Sequence, residues 1–285
     1  MAIDKEYIDS LGDNWMVRTD QDGISFHGFE IAPIGEWNTC PKWDDGPVND
    51  DCTSGGFFGQ GPGGYGFAKD GTRFCFCETR GPRIVVGGNK IKVRDMRVVY
   101  VGADSAASLR YLFAEFPGSI SLCIAHIPDG FQLGNVAGSV NLPTLILPSG
   151  FTIGRIGGCL NLRCSVLPKG FSVGYVGSYV DLRDATLQDG FSIAYVGGGL
   201  NLGNVELPEG FTVGRVGGNL IMDGATLPKR FTIGAIGGNL NLNGVDLSGG
   251  FKCRNVGGYI FTRNTALPGC ETEDDIRTAI RGVHR

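Results

Sequence analysis

With 285 residues, 42% of them apolar, the chain is long enough to bury one large core or two modest ones. Its net charge of −4 excludes a dedicated nucleic-acid binder with an overall basic surface, and no apolar run approaches membrane-spanning length. Glycine supplies 48 residues, about 17% against a usual ~7%, concentrated where turns are needed rather than spread as in disorder. The nine cysteines are odd in number and irregularly spaced, unlike a secreted disulfide scaffold. The opening Met1-Ala-Ile-Asp-Lys-Glu-Tyr lacks the apolar core of a signal peptide, so the expected setting is a reducing cytoplasm.

Residues 1–104 read as an acidic α+β domain, with 11 basic against 16 acidic residues. Ile3, Tyr7, Ile8 and Leu11 predict a short amphipathic helix. Strands are expected over 14–19 and 23–27, joined by the turn Asp20-Gln-Asp-Gly, then over 73–78, 84–86 and 92–101. Between them residues 37–65 read as a long irregular stretch, acidic at Asp44, Asp45, Asp50 and Asp51 and glycine-rich from Gly55 to Tyr65. Its glycines do not make a phosphate cradle, because no Lys-Ser/Thr follows and no strand leads into a helix. Cys75 and Cys77 share one strand face and, with Cys40 and Cys52, could ligate zinc, although no C-x-x-C pair occurs; buried free thiols are the other reading.

Cys52-Thr-Ser-Gly-Gly-Phe-Phe, Arg73-Phe-Cys-Phe-Cys-Glu and Gly88-Asn-Lys resemble a phage and bacterial domain with Cys-x-x-Gly-x-His and Asp-Lys signatures. Here phenylalanine replaces the histidine and Asn89 the aspartate. The order of aromatic strand, Gly-Tyr loop and strand ending in Glu is also similar to ADP-ribosyltransferases, a resemblance that implies His27, Tyr65 and Glu78 as catalytic residues.

Residues 105–285 are expected to form a capped solenoid. Ser105 to Phe116 has helical apolar spacing that Pro117-Gly118 stops, and Ile120, Leu122 and Ile127 begin a partial coil. Phenylalanine then recurs every twenty residues at 131, 151, 171, 191, 211, 231 and 251, which implies seven stacked coils. Numbering each coil from its Phe as position zero, positions two, five, nine and eleven are apolar and predict inward-facing strand residues. Leu-Pro-x-Gly marks a turn, the glycine at position three a corner, and Gly-Gly at six and seven close backbone packing. In-register coils about 4.8 Å apart make a rod about 30 Å long. Beyond it, Thr272 is placed to cap a helix over 273–281.

Position four should face solvent. There Arg155, Tyr175, Tyr195 and Arg215 form a row about 15 Å long, of residue types common at interface hot spots. Position one is a Ser/Thr column, and position ten an Asn column expected to stack as an amide ladder. Over residues 120–268 the repeat resembles Leu-Pro-x-Gly β-solenoid repeats of phage and bacterial proteins, and is similar to the short bacterial leucine-rich repeat. The segment Phe231-Thr-Ile-Gly-Ala-Ile is β-like, and the regular turn asparagine of the leucine-rich family is missing, which favours the β-solenoid.

The resulting expectation is a mainly β chain: seven 20-residue coils with helical caps behind a small α+β domain. Its function is expected to be non-enzymatic, a binding or structural protein that recognises a protein or glycan through the wall at Arg155, Tyr175, Tyr195 and Arg215. The expected location is a host cytoplasm or virion, with no cofactor, membrane or nucleic acid involved. The alternative is an enzyme with its active site in the N-terminal domain. Far-ultraviolet circular dichroism should show little helix; a content above about half would mean that the phenylalanine period marks helices instead.

Overall fold

The structure, a computed structural model, describes residues 3–25, 28–45, 55–62, 64–66, 73–87, 90–102, 108, 111–113, 115–122, 127, 129–269 and 278–280. Two compact units divide the chain, Met1–His126 and Ile127–Arg285. No helix among the described residues is long and apolar enough to cross a membrane.

In the first unit Asp4 caps helix α1 (Lys5–Ser10), its Oδ1 accepting the Tyr7 N–H at 2.9 Å. The strands are β1 (Trp15–Asp20), β2 (Trp37–Thr39), β3 (Phe57–Gln60), β4 (Gly64–Gly66), β5 (Arg73–Gly87) and β6 (Lys90–Gly102), then the short β7 (Glu115–Phe116) and β8 (Ser119–Ser121). β6 bonds to β3, β3 to β1, β1 to β5, and β5 returns to β6, so the sheet closes on itself. β2 lies beside β6, and β4 pairs in parallel with β8. Inside pack Met16, Phe57, Cys75, Cys77, Ile91, Val93, Met96 and Val98. Every residue of β1 is buried, because its other face carries Trp15 against Phe76 and Phe113, with ring centroids 5.3 and 5.5 Å apart.

Three local expectations change. The stretch 37–65 holds β2, β3 and most of β4 rather than one irregular loop. Its glycines serve close passage: a Cβ on Gly59 would lie 2.7 Å from Met16 Sδ and 2.8 Å from the Val17 carbonyl oxygen. The strands expected at 73–78 and 84–86 are one strand, β5, bent at Gly81 (φ +73°), where the register against β6 shifts. No strand forms at 23–25. Ile24 makes only isolated bridges, to Gln21 and Glu30, and residues 26–27 lie outside the described set. Of the first expected cap helix, Ser108, Tyr111 and Leu112 are helical, whereas Phe116 is extended in β7. Of the second, residues 278–280 are helical with Ile280 buried, and Thr272 lies outside the described residues.

The second unit is the expected solenoid. Strands one coil apart pair in parallel with a twenty-residue register, as in Leu160↔Val180, Leu200↔Leu220 and Tyr175↔Tyr195. The apolar positions point inward: Val176, Val196, Leu202 and Leu242 are fully buried. The seven Phe rings stack in one column, successive centroids 5.4 to 6.2 Å apart.

Backbone geometry repeats as closely as the side chains do. Position thirteen is left-handed in every coil, at Thr144, Cys164, Asp184, Asn204, Gly224, Gly244 and Asn264, with φ of 55–70°. Position nineteen is left-handed in the first six coils, where it is described, and there Arg230 (φ 55°) replaces the Leu-Pro-x-Gly glycine. Position three, expected as a corner, lies inside a strand in the later coils, for example Gly174 within Ser172–Val176. Its glycine answers the neighbouring coil, since a Cβ on Gly214 would meet the Ala194 carbonyl oxygen at 2.0 Å.

The position-ten amide ladder is made between Asn161 Nδ2 and Asn141 Oδ1 at 2.7 Å. Elsewhere in that column Oδ1 of Asp181, Asn201 and Asn241 turns to accept the backbone N–H two residues on, an Asx turn into the corner. Rungs between coils come instead from Asn135, Asn219 and Asn243, whose Oδ1 atoms accept from the N–H of Arg155, Asn239 and Arg263.

These corners set a stability test. Cys164→Gly and Arg230→Gly should each stabilise by about 1 kcal/mol, by removing a side chain from a left-handed position. Gly197→Ala should destabilise by several times that, because its Cβ would lie 2.2 Å from the Gly177 carbonyl oxygen. Denaturant midpoints measure all three, and equal midpoints would show that the coils deform freely.

Candidate functional site

Position four is flanked by the inward positions two and five, so its side chains leave the solenoid wall. Strand pairing sets Tyr175 beside Tyr195 and Tyr195 beside Arg215. The Arg155 guanidinium carbon lies 4.1 Å from the centre of the Tyr175 ring, and the two tyrosine rings stack 5.1 Å apart at 11°. Both arginines are exposed and both tyrosines half-buried. The sequence-predicted row is therefore a continuous structure. The facing sides of the two tyrosine rings cover each other, and Arg155 covers the outer face of Tyr175.

Beside the row the side chains at position three are missing, which leaves a hollow of about 490 Å³ lined by Asn135, Ile153, Gly154, Arg155, Gly174 and Tyr175. No atom lies within 4 Å of where a Cβ on Gly174 would stand.

Charge is distributed by coil position. Positions zero to eight hold Arg155, Arg215, Lys252 and Arg254 and no Asp or Glu in any of the seven coils. The acids sit elsewhere, and among the described residues two of them, Asp181 and Asp184, pair with bases. Arg183 bonds Asp181 at 2.6 Å, and Arg163 lies 3.8 Å from Asp184. A whole-domain tally, in which acids and bases nearly balance, hides this segregation. Counting by column is the signal that reveals it.

Of the catalytic candidates in the first unit, Glu78 is engaged structurally. Glu78 is buried; its Oε2 accepts from Arg97 Nε at 2.6 Å and its Oε1 from the Tyr7 hydroxyl. The hydrogen bond that Arg97 donates to Glu78 holds its guanidinium above the usual arginine range, and Arg97 and Arg80 both lie over the Trp37 ring. Tyr65 lies in β4, and His27 lies outside the described residues. Glu78 is thus an interior strand residue rather than a solvated strand end.

Cys75 and Cys77 share the inner face, as their spacing implies, and Cys40 packs against the same cluster; Cys52 lies outside the described residues. Burial first, and then the neighbouring Cys77, push the Cys75 thiol far above the ordinary cysteine value. Burial also pushes Cys77 up to about 12. Both thiols are protonated at pH 7 in this packing. Among the described residues no group of three or more His, Cys, Asp or Glu is placed to hold a metal ion.

Sequence reading missed a buried ion pair. Asp20, read only as the start of a turn, is fully buried and meets Arg73 through two bonds, 2.8 and 2.9 Å, while its Oδ1 also accepts the Gly23 N–H. Comparison of the chain with protein-family models, with curated proteins and with solved structures found no match to any of them.

Burial works to raise the Asp20 pKa, and its bonds from Arg73, Gly23 and Cys75 outweigh that, leaving it lowered. A lowered carboxyl stabilises the fold above its unfolded value near ~3.9, and that stability drains as pH falls through the folded value. Acid titration of intrinsic fluorescence should therefore show the first unit unfolding below pH about 4. Asp20→Asn should flatten that acid limb and cost about 3 kcal/mol at pH 7, because Arg73 loses its partner. An unchanged limb would mean that another group carries the acid response.

Proposed function

We propose that the protein is a non-enzymatic binding or structural protein that recognises a protein or glycan through the solenoid wall at Arg155, Tyr175, Tyr195 and Arg215. The stacked solenoid itself suits a structural or binding role, since it repeats one surface at a fixed spacing. The observation that carries the finer reading is the Arg–Tyr–Tyr row, preorganised by its own stacking and open to solvent at both arginines. Preorganisation lowers the ordering cost of recognition, and Arg and Tyr are the side chains that most often dominate an interface. The Leu-Pro-x-Gly resemblance supports a phage or bacterial setting, hence a host cytoplasm or virion.

The enzymatic alternative gains no such support. Glu78, its candidate carboxylate, is buried, and its two oxygens accept from Tyr7 and Arg97.

Immobilised full-length chain should retain a partner from a glycan panel or a bacterial lysate. Replacing Arg155, Tyr175, Tyr195 and Arg215 together by Ala should abolish retention and leave the circular dichroism spectrum unchanged. Equal retention by the fourfold variant would remove this wall as the binding surface.

A further inference from the structure

We infer that the wall takes an acidic polysaccharide, laid along the solenoid with one carboxylated sugar seated in the hollow beside Arg155. This rests on the wall being the recognition surface and names the chemistry of its ligand. The wall's four bases, Arg155, Arg215, Lys252 and Arg254, stand on a surface without a single acid from position zero to eight. Among the described residues none of the four makes an ion pair with a carboxylate, whereas Arg163 and Arg183 on a neighbouring face both do. Cations left unpaired along one face complement an anionic chain.

The hollow supplies a seat. Its volume of about 490 Å³ falls within the range of small-molecule sites, its floor is Ile153, Gly154 and Gly174, and Arg155 stands at its rim. Stacking on Tyr175 holds the Arg155 guanidinium while leaving its N–H fork for a carboxylate. Alongside runs the position-one column Thr152, Ser172, Ser192, Thr212 and Thr232, whose hydroxyls both donate and accept as sugar hydroxyls do.

The same geometry disfavours a single-stranded nucleic acid. Such ligands bind by stacking bases on successive open aromatic faces, and of the four faces of Tyr175 and Tyr195 three are covered, by the other ring or by Arg155. What the row offers outward is hydrogen bonds and charge.

The test uses the full chain with alginate and hyaluronate oligosaccharides, with cellohexaose as an uncharged comparator and oligothymidylate as a different polyanion, by titration calorimetry at low and high salt. At least one uronate should bind, and added salt should weaken it. Arg155→Gln and Arg215→Gln should each lower its affinity about tenfold, the scale of one lost charge-assisted hydrogen bond. Gly174→Thr fills the hollow where space is open, so it should weaken binding about as much while circular dichroism stays unchanged. Lys169→Gln, on the Leu-Pro-Lys-Gly turn, should bind as the parent does. If neither uronate binds, or if binding survives all three wall variants, the inference is overturned. Cellohexaose bound as tightly as the uronates and lost with Tyr175→Ala would also overturn it, yet leave the wall as a recognition surface. Oligothymidylate bound in preference to both uronates would overturn it in favour of a nucleic acid.

Discussion

At position six of every coil after the first a glycine stands where a Cβ would lie about 2.2 Å from the carbonyl oxygen of the coil before it, as at Gly177, Gly197, Gly217 and Gly237. Only glycine permits that approach, and the approach lets the N–H of each such glycine bond the preceding coil, as Gly197 does to the Val176 carbonyl at 2.8 Å. Coils held at this distance and register carry every other column with them. Phe stacks on Phe, Leu on Leu, and Tyr175 on Tyr195, because each side chain finds its homologue one coil away. The row from Arg155 to Arg215 is therefore a product of backbone contact as much as of its own residues.

Polar groups are handled differently in the two units. The solenoid interior is apolar but for hydroxyls that fill local needs and for buried Asp181 and Asn201, whose Oδ1 atoms close corner turns. Ser165 Oγ donates to the Leu142 carbonyl at 2.7 Å, and Thr265 repeats the bond to Leu242. The first unit instead buries full charges within its closed sheet. Asp20 meets Arg73, Glu78 meets Arg97, and the Lys92 ammonium donates to the Asp44 carbonyl over the Trp43 ring. Such groups are costly alone and specific once paired, which suits a small barrel whose strands must choose one register.

The solenoid was legible because its period is free of gaps: with Phe at a constant interval, register, inward faces and the solvent-facing row follow from counting. The smaller features failed for local reasons. Glycine signals both a turn and a close approach, and sequence alone does not separate them, so Gly59 inside β3 and Gly214 inside its strand were read as loop and corner. Asn at position ten is equally able to stack on a neighbour or close its own turn, and Asp181, Asn201 and Asn241 chose the turn. In the first unit nothing repeats, so the partners of Asp20 and Glu78, more than fifty and about seventy residues away at Arg73 and Tyr7, left no mark in spacing.

The twenty-residue register also bears on how the chain folds. Sheets that are wholly parallel usually fold slowly, since each pairing must close a long crossover before any contact rewards it. In the second unit the parallel pairs are joined by the same short span, from Leu160 to Val180 and on to Leu200, so the closure entropy is small and alike at each step. Once two coils are docked, each further coil adds to a finished template, and assembly becomes a zipper that advances one coil at a time.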